Sequence, residues 1–192
     1  MGRLCRRAAA VFLAMMTILT FVSCDDAKPD DSSMTRDLLE SYMNSVRSYN
    51  IASLNKCCMA KLDGYGDSDE VNKGCKALAS RIVWECENIR IDGSSAIAQV
   101  RVTLPVNFEG ICTAAFSDAA ARLDDDPEEN AASALLSALK KRAAKAETTE
   151  QSVEISMTKV DNKWYIVKSM GINRVISDIR TPVKSVYSIL GY

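Results

Sequence analysis

Residues 151–169, QSVEISMTKVDNKWYIVKS, leave this chain few choices of local structure. Val153, Ile155 and Met157 alternate with Glu154, Ser156 and Thr158, and the polar pair Asp161-Asn162 separates them from Trp164-Tyr165-Ile166-Val167. Alternation with a period of two gives a strand one buried face, and a short Asp/Asn turn between two such runs makes an antiparallel hairpin. The helices that precede it must then cover that face.

Those helices are legible from Thr35 onward. Leu39, Tyr42, Met43 and Val46 fall at i, i+3, i+4 and i+7, with Ser33 or Thr35 as cap. A short helix follows from Asn50, with Ile51, Leu54 and Cys58 inward, and residues 61–69, KLDGYGDSD, form a turn-rich break. Asp69 caps a third helix carrying Val71, Cys75, Leu78 and Ile82, which gives way near Trp84 to a strand over residues 86–91. Asp92-Gly93-Ser94 signals a turn, after which Ala96, Ala98, Val100, Val102 and Leu104 alternate in a second strand.

Residues 107–150, between the hairpins, are alanine-rich and too long for a loop. They read as a helix over 108–123, with Gly110 weakening its start, and a second helix with Leu135, Leu136 and Leu139 inward. Asp126 caps that second helix, Pro127 takes its first position, and Glu128 and Glu129 suit the positive end of its dipole. Beyond Met170 the spacing is again helical, but Pro182 predicts two short helices or a helix and an irregular tail. The expected fold class is α+β, with N-terminal helices packed on an antiparallel sheet and a helical insert between two hairpins.

The 192 residues contain no histidine, which excludes Ser-His-Asp and Cys-His catalysis, histidine zinc sites and histidine pH switching. Hydrophobic residues make up 47% and charged residues 26%, so neither a disordered nor a membrane-embedded body is indicated. The formal charge is −1, or −4 once Arg3, Arg6 and Arg7 are removed with a leader, too mild for a nucleic-acid partner. Lys140, Lys141, Arg142 and Lys145 lack interleaved aromatics and sit where a helix C-terminus favours positive charge.

The start of the chain, MGRLCRRAAAVFLAMMTILTFVSC, has a basic head and an apolar run from Ala8 to Val22. That run is shorter than the ~20 residues needed to cross a hydrocarbon core, so residues 1–23 read as a secretion signal. Its ending, Phe21-Val22-Ser23-Cys24, resembles the lipobox of bacterial lipoprotein signal peptides, with Phe21 where Leu is usual. The resemblance implies acylation of Cys24, such as by palmitate, as the new N-terminus. Residues 24–34 then form the lipidated cysteine and a solvated tether, DDAKPDDSS, and residues 35–192 a single domain. At about 0.8 kcal/mol per buried methylene, several acyl chains make such an anchor effectively permanent.

Other candidates for chemistry have plainer readings. Asp63, Asp67 and Asp69 do not match an EF-hand, and a solvated loop accounts for them. Cys57, Cys58, Cys75, Cys86 and Cys112 allow at most two disulfides in an exported chain. Cys57 or Cys58 with Cys75, and Cys86 with Cys112, are open pairings, and buried free thiols are an equal alternative. There is no CxxC, and the adjacent Cys57-Cys58 reads as one core and one boundary residue. Trp164 reads as a core anchor, and Glu85, Glu87 and Glu154 point outward.

The order of elements, the lipobox-like signal and the segment Lys163-Trp164-Tyr165-Ile166 together resemble small bacterial lipoproteins with a nuclear-transport-factor-like (cystatin-like) domain. The resemblance covers most of residues 35–170; the long insert and the segment after Met170 depart from it. It implies a curved sheet forming a cone whose pocket relatives use for binding, for isomerase or cyclase chemistry, or only as core. The expected function is a non-enzymatic, membrane-anchored extracytoplasmic lipoprotein, without cofactor or metal, that binds a small ligand or an envelope protein. It would sit on the outer face of the cell membrane, or on the periplasmic side where there are two membranes. The alternative is an enzyme with a buried carboxylate as general base and Tyr42 or Tyr165 as hydrogen-bond donor.

Overall fold

The computed structural model describes residues 30–62 and 66–192. The expected signal peptide, Cys24, most of the tether and Asp63 lie outside the described residues. From Asp31 to Tyr192 the chain forms one contact unit. In order it contains α1 (Asp31–Arg47), α2 (Ile51–Cys57), α3 (Asp69–Ala79), β1 (Val83–Asp92), β2 (Ser95–Pro105), α4 (Phe108–Asp125), α5 (Ala131–Lys145), β3 (Thr148–Val160), β4 (Lys163–Lys168) and α6 (Met170–Ile189).

The strands form a curved antiparallel sheet in the order β1-β2-β3-β4. Both hairpin turns have two residues. Asp161 and Asn162 both adopt left-handed backbone, φ 49° and 63°, the primed turn whose twist matches its strands. Gly93 takes φ 56° in the first turn. On the helix side β2 presents Ala96, Ala98, Val100, Val102 and Leu104, β3 presents Val153, Ile155 and Met157, and β4 presents Trp164 and Ile166, all buried. A bulge between Cys86 and Asn88 changes the phase of β1. Trp84 and Cys86 before it, and Ile89 and Ile91 after it, therefore all lie half-buried against the core.

Helix α1 packs on β1 and β4 and α6 on β3, while α3 and α4 each pack against α5 and α6. The core runs between these layers, and each large side chain such as Leu39, Leu78 or Ile176 gains about 1.5–3 kcal/mol by leaving water. The α+β architecture with a helical insert between two hairpins is as expected.

Several local expectations are corrected. Helix α1 begins at Asp31, so residues 31–34 are helical rather than tether, and Thr35 is buried with its hydroxyl donating to the Asp31 carbonyl at 2.8 Å. Cys57, not Cys58, faces inward from α2, because the chain bends at Cys58 to bridge Ile166. Ser68 rather than Asp69 caps α3. Asn130 caps α5, which leaves Asp126 and Pro127 in the preceding turn, where an Arg122–Glu129 ion pair holds the connection. Leu136 is only half-buried, and Ala134, Leu135, Ala138, Leu139 and Ala143 make the inner face.

The largest correction is α6, which continues through Pro182. A proline inside a helix costs about 3 kcal/mol through a lost hydrogen bond and a clash. Ile179, Val183, Val186 and Tyr187, all buried on one side of that helix, outweigh the cost. The five cysteines from Cys57 to Cys112 are all free, so neither open pairing forms.

Candidate functional site

Leaving the sheet at Pro105, the chain turns into α4 through Asn107, whose left-handed backbone, φ 56°, sharpens the corner. The Asn107 side chain folds back to accept the Gly110 N–H at 2.9 Å, capping the helix. That cap requires Gly110, since a Cβ there would overlap the Asn107 amide. The glycine that weakens the helix on propensity is thus what lets it begin here.

This corner forms one wall of a groove against the middle of α6, with a volume of about 610 Å³, within the range of small-molecule sites. Phe108, Cys112 and Val186 make its buried floor, and Pro182 is half-buried beside them. The rim carries Glu109 and Asp178 and the hydroxyls of Thr113, Thr181 and Ser185, and among the described residues no lysine or arginine lines it. Because Pro182 has no N–H, the Asp178 carbonyl loses its partner one turn on, adding an acceptor to the same wall. Burial pushes the Cys112 thiol up to about 12, so at neutral pH it is a neutral thiol rather than a nucleophile. The groove is therefore rich in acceptors, poor in cations, and apolar at its base.

A second polar constellation lies nearby. The Asp67 side chain is 2% exposed and receives Arg180 Nε at 2.5 Å and Nη2 at 2.7 Å, with Lys184 Nζ at 3.5 Å. Hydrogen bonds from Arg180 hold its carboxyl below the usual carboxylate range, against the opposing effect of burial. Asp67 is thus the internal clasp of the loop onto α6 rather than part of a solvated loop. Beside it, the Tyr49 hydroxyl is buried against the Cys75 thiol with no closer hydrogen-bond partner among the described residues, and burial raises its pKa. The thiol of Cys75, also raised by burial to about 12, interacts with both. Among the described residues, no group of three or more His, Cys, Asp or Glu could hold a metal ion.

The remaining candidates do not converge. Tyr42 is buried in the core with its hydroxyl against Ser169, and its pKa is raised by burial. Tyr165 lies half-buried, with Lys163 Nζ 5.1 Å from its ring centroid. Glu85 and Glu87 are outside, paired with Arg101, and exposed Glu154 accepts from Gln99 at 3.2 Å. Trp164 is the core anchor expected, and its Nε1 donates to Asp31 at 2.9 Å, an acceptor shared with Lys159 Nζ at 2.5 Å. These bonds depress the Asp31 pKa, Lys159 contributing most, and pin the start of α1 to the second hairpin. Asn107, Pro182, Arg180 and Lys184 carry no motif; a left-handed Asn cap ahead of a glycine was the one local signal available.

No family model matches the chain, and no curated protein matches it in sequence. Among solved structures it is similar to a "putative lipoprotein (ycdA)" from Bacillus subtilis, at 15% identity and a TM-score of 0.39. That match covers 79% of this chain and 50% of the other, so the chain spans about half the length of that protein. It is also similar to Rv3472, a function unknown protein from Mycobacterium tuberculosis, at 13% identity and a TM-score of 0.36, over 81% of this chain and 85% of that one. Among the described residues no helix is long and apolar enough to cross a membrane.

Proposed function

We propose that this chain is an exported lipoprotein, anchored through acylated Cys24 to the outer face of the cell membrane, whose folded domain acts by binding rather than by catalysis. The nuclear-transport-factor-like kinship is part of the same reading, supported by the order of helices and hairpins and by Lys163-Trp164-Tyr165-Ile166. The observation that carries the binding role is the groove between α4 and α6. Its acceptor-rich rim over an apolar floor suits a ligand or envelope partner that presents N–H donors or positive charge beside an apolar group. Against the enzyme alternative stands the helix-facing side of the sheet, closely filled by apolar side chains, while the side-chain-buried carboxylate of Asp67 is bound by Arg180 and Lys184 rather than free to take a proton.

Two measurements test the two halves. Intact mass of the membrane-extracted protein should show a chain beginning at Cys24 with acyl mass, absent in Cys24→Ala; a chain cut elsewhere and free in the medium would remove the anchor. Photocrosslinkers placed at Thr181 and at the remote Lys140 should give adducts in intact cells at the first position alone. Those adducts should vanish when Thr113→Trp fills the groove, and crosslinking unaffected by that filling would refute the site.

A further inference from the structure

Strand β1 lies at the edge of the sheet. It pairs only with β2, and among the described residues its other side has no backbone partner. Asp92 and Ser95 bracket a two-residue turn, so that pair exchanges backbone bonds, and Arg90 two residues back also directs its groups to β2. Ile91 and Ile89 alternate with them and direct theirs to the open rim. The bulge between Cys86 and Asn88 resets the alternation, so Cys86 and Trp84 point to the rim as well. These four residues also carry the half-buried apolar side chains of β1. They are disposed symmetrically about the midpoint between Glu87 and Asn88.

We propose that β1 pairs antiparallel with β1 of a second copy of this chain, about a two-fold axis through that midpoint, joining two four-stranded sheets into one. It is the one register that uses all four open positions. Trp84 faces Ile91 of the second copy and Cys86 faces Ile89, and the two identical bulges oppose each other so that pairing is kept on either side. In the closer row between them Glu85 faces Arg90 of the second copy, twice by symmetry. Both are free to respond: the Glu85 side chain is 71% exposed with only a 3.7 Å contact to Arg101, and exposed Arg90 has no ion pair among the described residues. A bulge and charged side chains ordinarily blunt an edge against foreign strands. Against its own copy the same bulge and charges match, which separates self from other strands. Copies anchored in one membrane would also meet at raised effective concentration.

The test is sedimentation equilibrium of the mature full-length protein in density-matched detergent, which reads association whether or not the chain is acylated and so stands apart from the anchor. The wild type should show a monomer–dimer equilibrium. Arg90→Glu and Glu85→Arg should each weaken it by about tenfold or more, since each sets like charges opposite one another twice. The double variant Glu85→Arg/Arg90→Glu should regain wild-type affinity to within about threefold. Glu85→Arg and the double variant both place an arginine beside Arg101, so that effect cancels between those two, and thermal melts of each variant verify folding. A protein monomeric at every concentration, a dimer indifferent to the single reversals, or a double variant no better than the singles would overturn the pairing.

Discussion

Arg180→Met is the most informative perturbation of the domain itself. It leaves the Asp67 carboxylate, 2% exposed, without the bonds of 2.5 and 2.7 Å that hold it. Breaking a buried pair by removing one partner costs about 3–5 kcal/mol. Lys184, at 3.5 Å and with its own side chain 54% exposed, compensates in part, which places the expected loss near the low end, about 3 kcal/mol. Asp67→Asn should cost less, about 2 kcal/mol, because Arg180 is 23% exposed and can turn to water. The sign of the pH dependence follows from the depressed pKa of Asp67. Its contribution is complete above the ordinary carboxylate value of 3.8 and is lost as pH falls through the lower folded value. Urea unfolding of wild type and Arg180→Met should therefore show a difference that shrinks by about half between pH 7 and pH 3, with an unchanged m-value. A difference below about 1 kcal/mol, or one equal at both pH values, would show that solvent screens the pair and refute the reasoning.

Other consequences follow from single contacts. At Gly74 a Cβ would lie 2.7 Å from Tyr187 Cε2 and 2.8 Å from Val183 Cγ1, so Gly74→Ala should force α3 and α6 apart and lower stability by about 1–3 kcal/mol in a thermal melt. Pro182→Ala restores an N–H to the Asp178 carbonyl and should raise stability by about 1–2 kcal/mol in a thermal melt. Burial lifts the thiols of Cys75 and Cys112 to about 12 and that of Cys58 to about 11, so iodoacetamide at pH 8 should label these three slowly in the native protein. Mass spectrometry after denaturation should then find the five cysteines from Cys57 to Cys112 all alkylated without a reductant, and a disulfide-linked pair would contradict the free thiols.

Where sequence reading succeeded, the signal was contiguous. The Asp161-Asn162 turn, the alternation in β2 and β3 and the periodicity of α1 and α3 each depend on side chains within a few positions of one another. The inward place of Trp164 followed from the same alternation. Where it failed, a local preference met a distant partner. Pro182 did not break α6, because Ile179, Val183 and Val186 are buried against other helices. Gly110, a poor helix former by propensity, stands at the start of α4 where the Asn107 side chain occupies the space a Cβ would fill.

The candidate site shows the same division. Its acidic and hydroxyl residues are unremarkable in sequence, where the α4 and α6 portions of the groove stand more than sixty positions apart. Asp67 looked like one aspartate of a solvated loop, and only the packing of α6 brings Arg180 to it from 113 residues away. The phase of β1 likewise depends on a bulge that pairing with β2 reveals. The sequence alone determined the order of helices and strands and the sidedness of β2, β3 and β4, since periodicity and turn chemistry act over neighbouring residues. Tertiary structure alone decided which distant polar groups are buried together and which strand edge stays open, because those follow from how the helices stack once their apolar faces leave water.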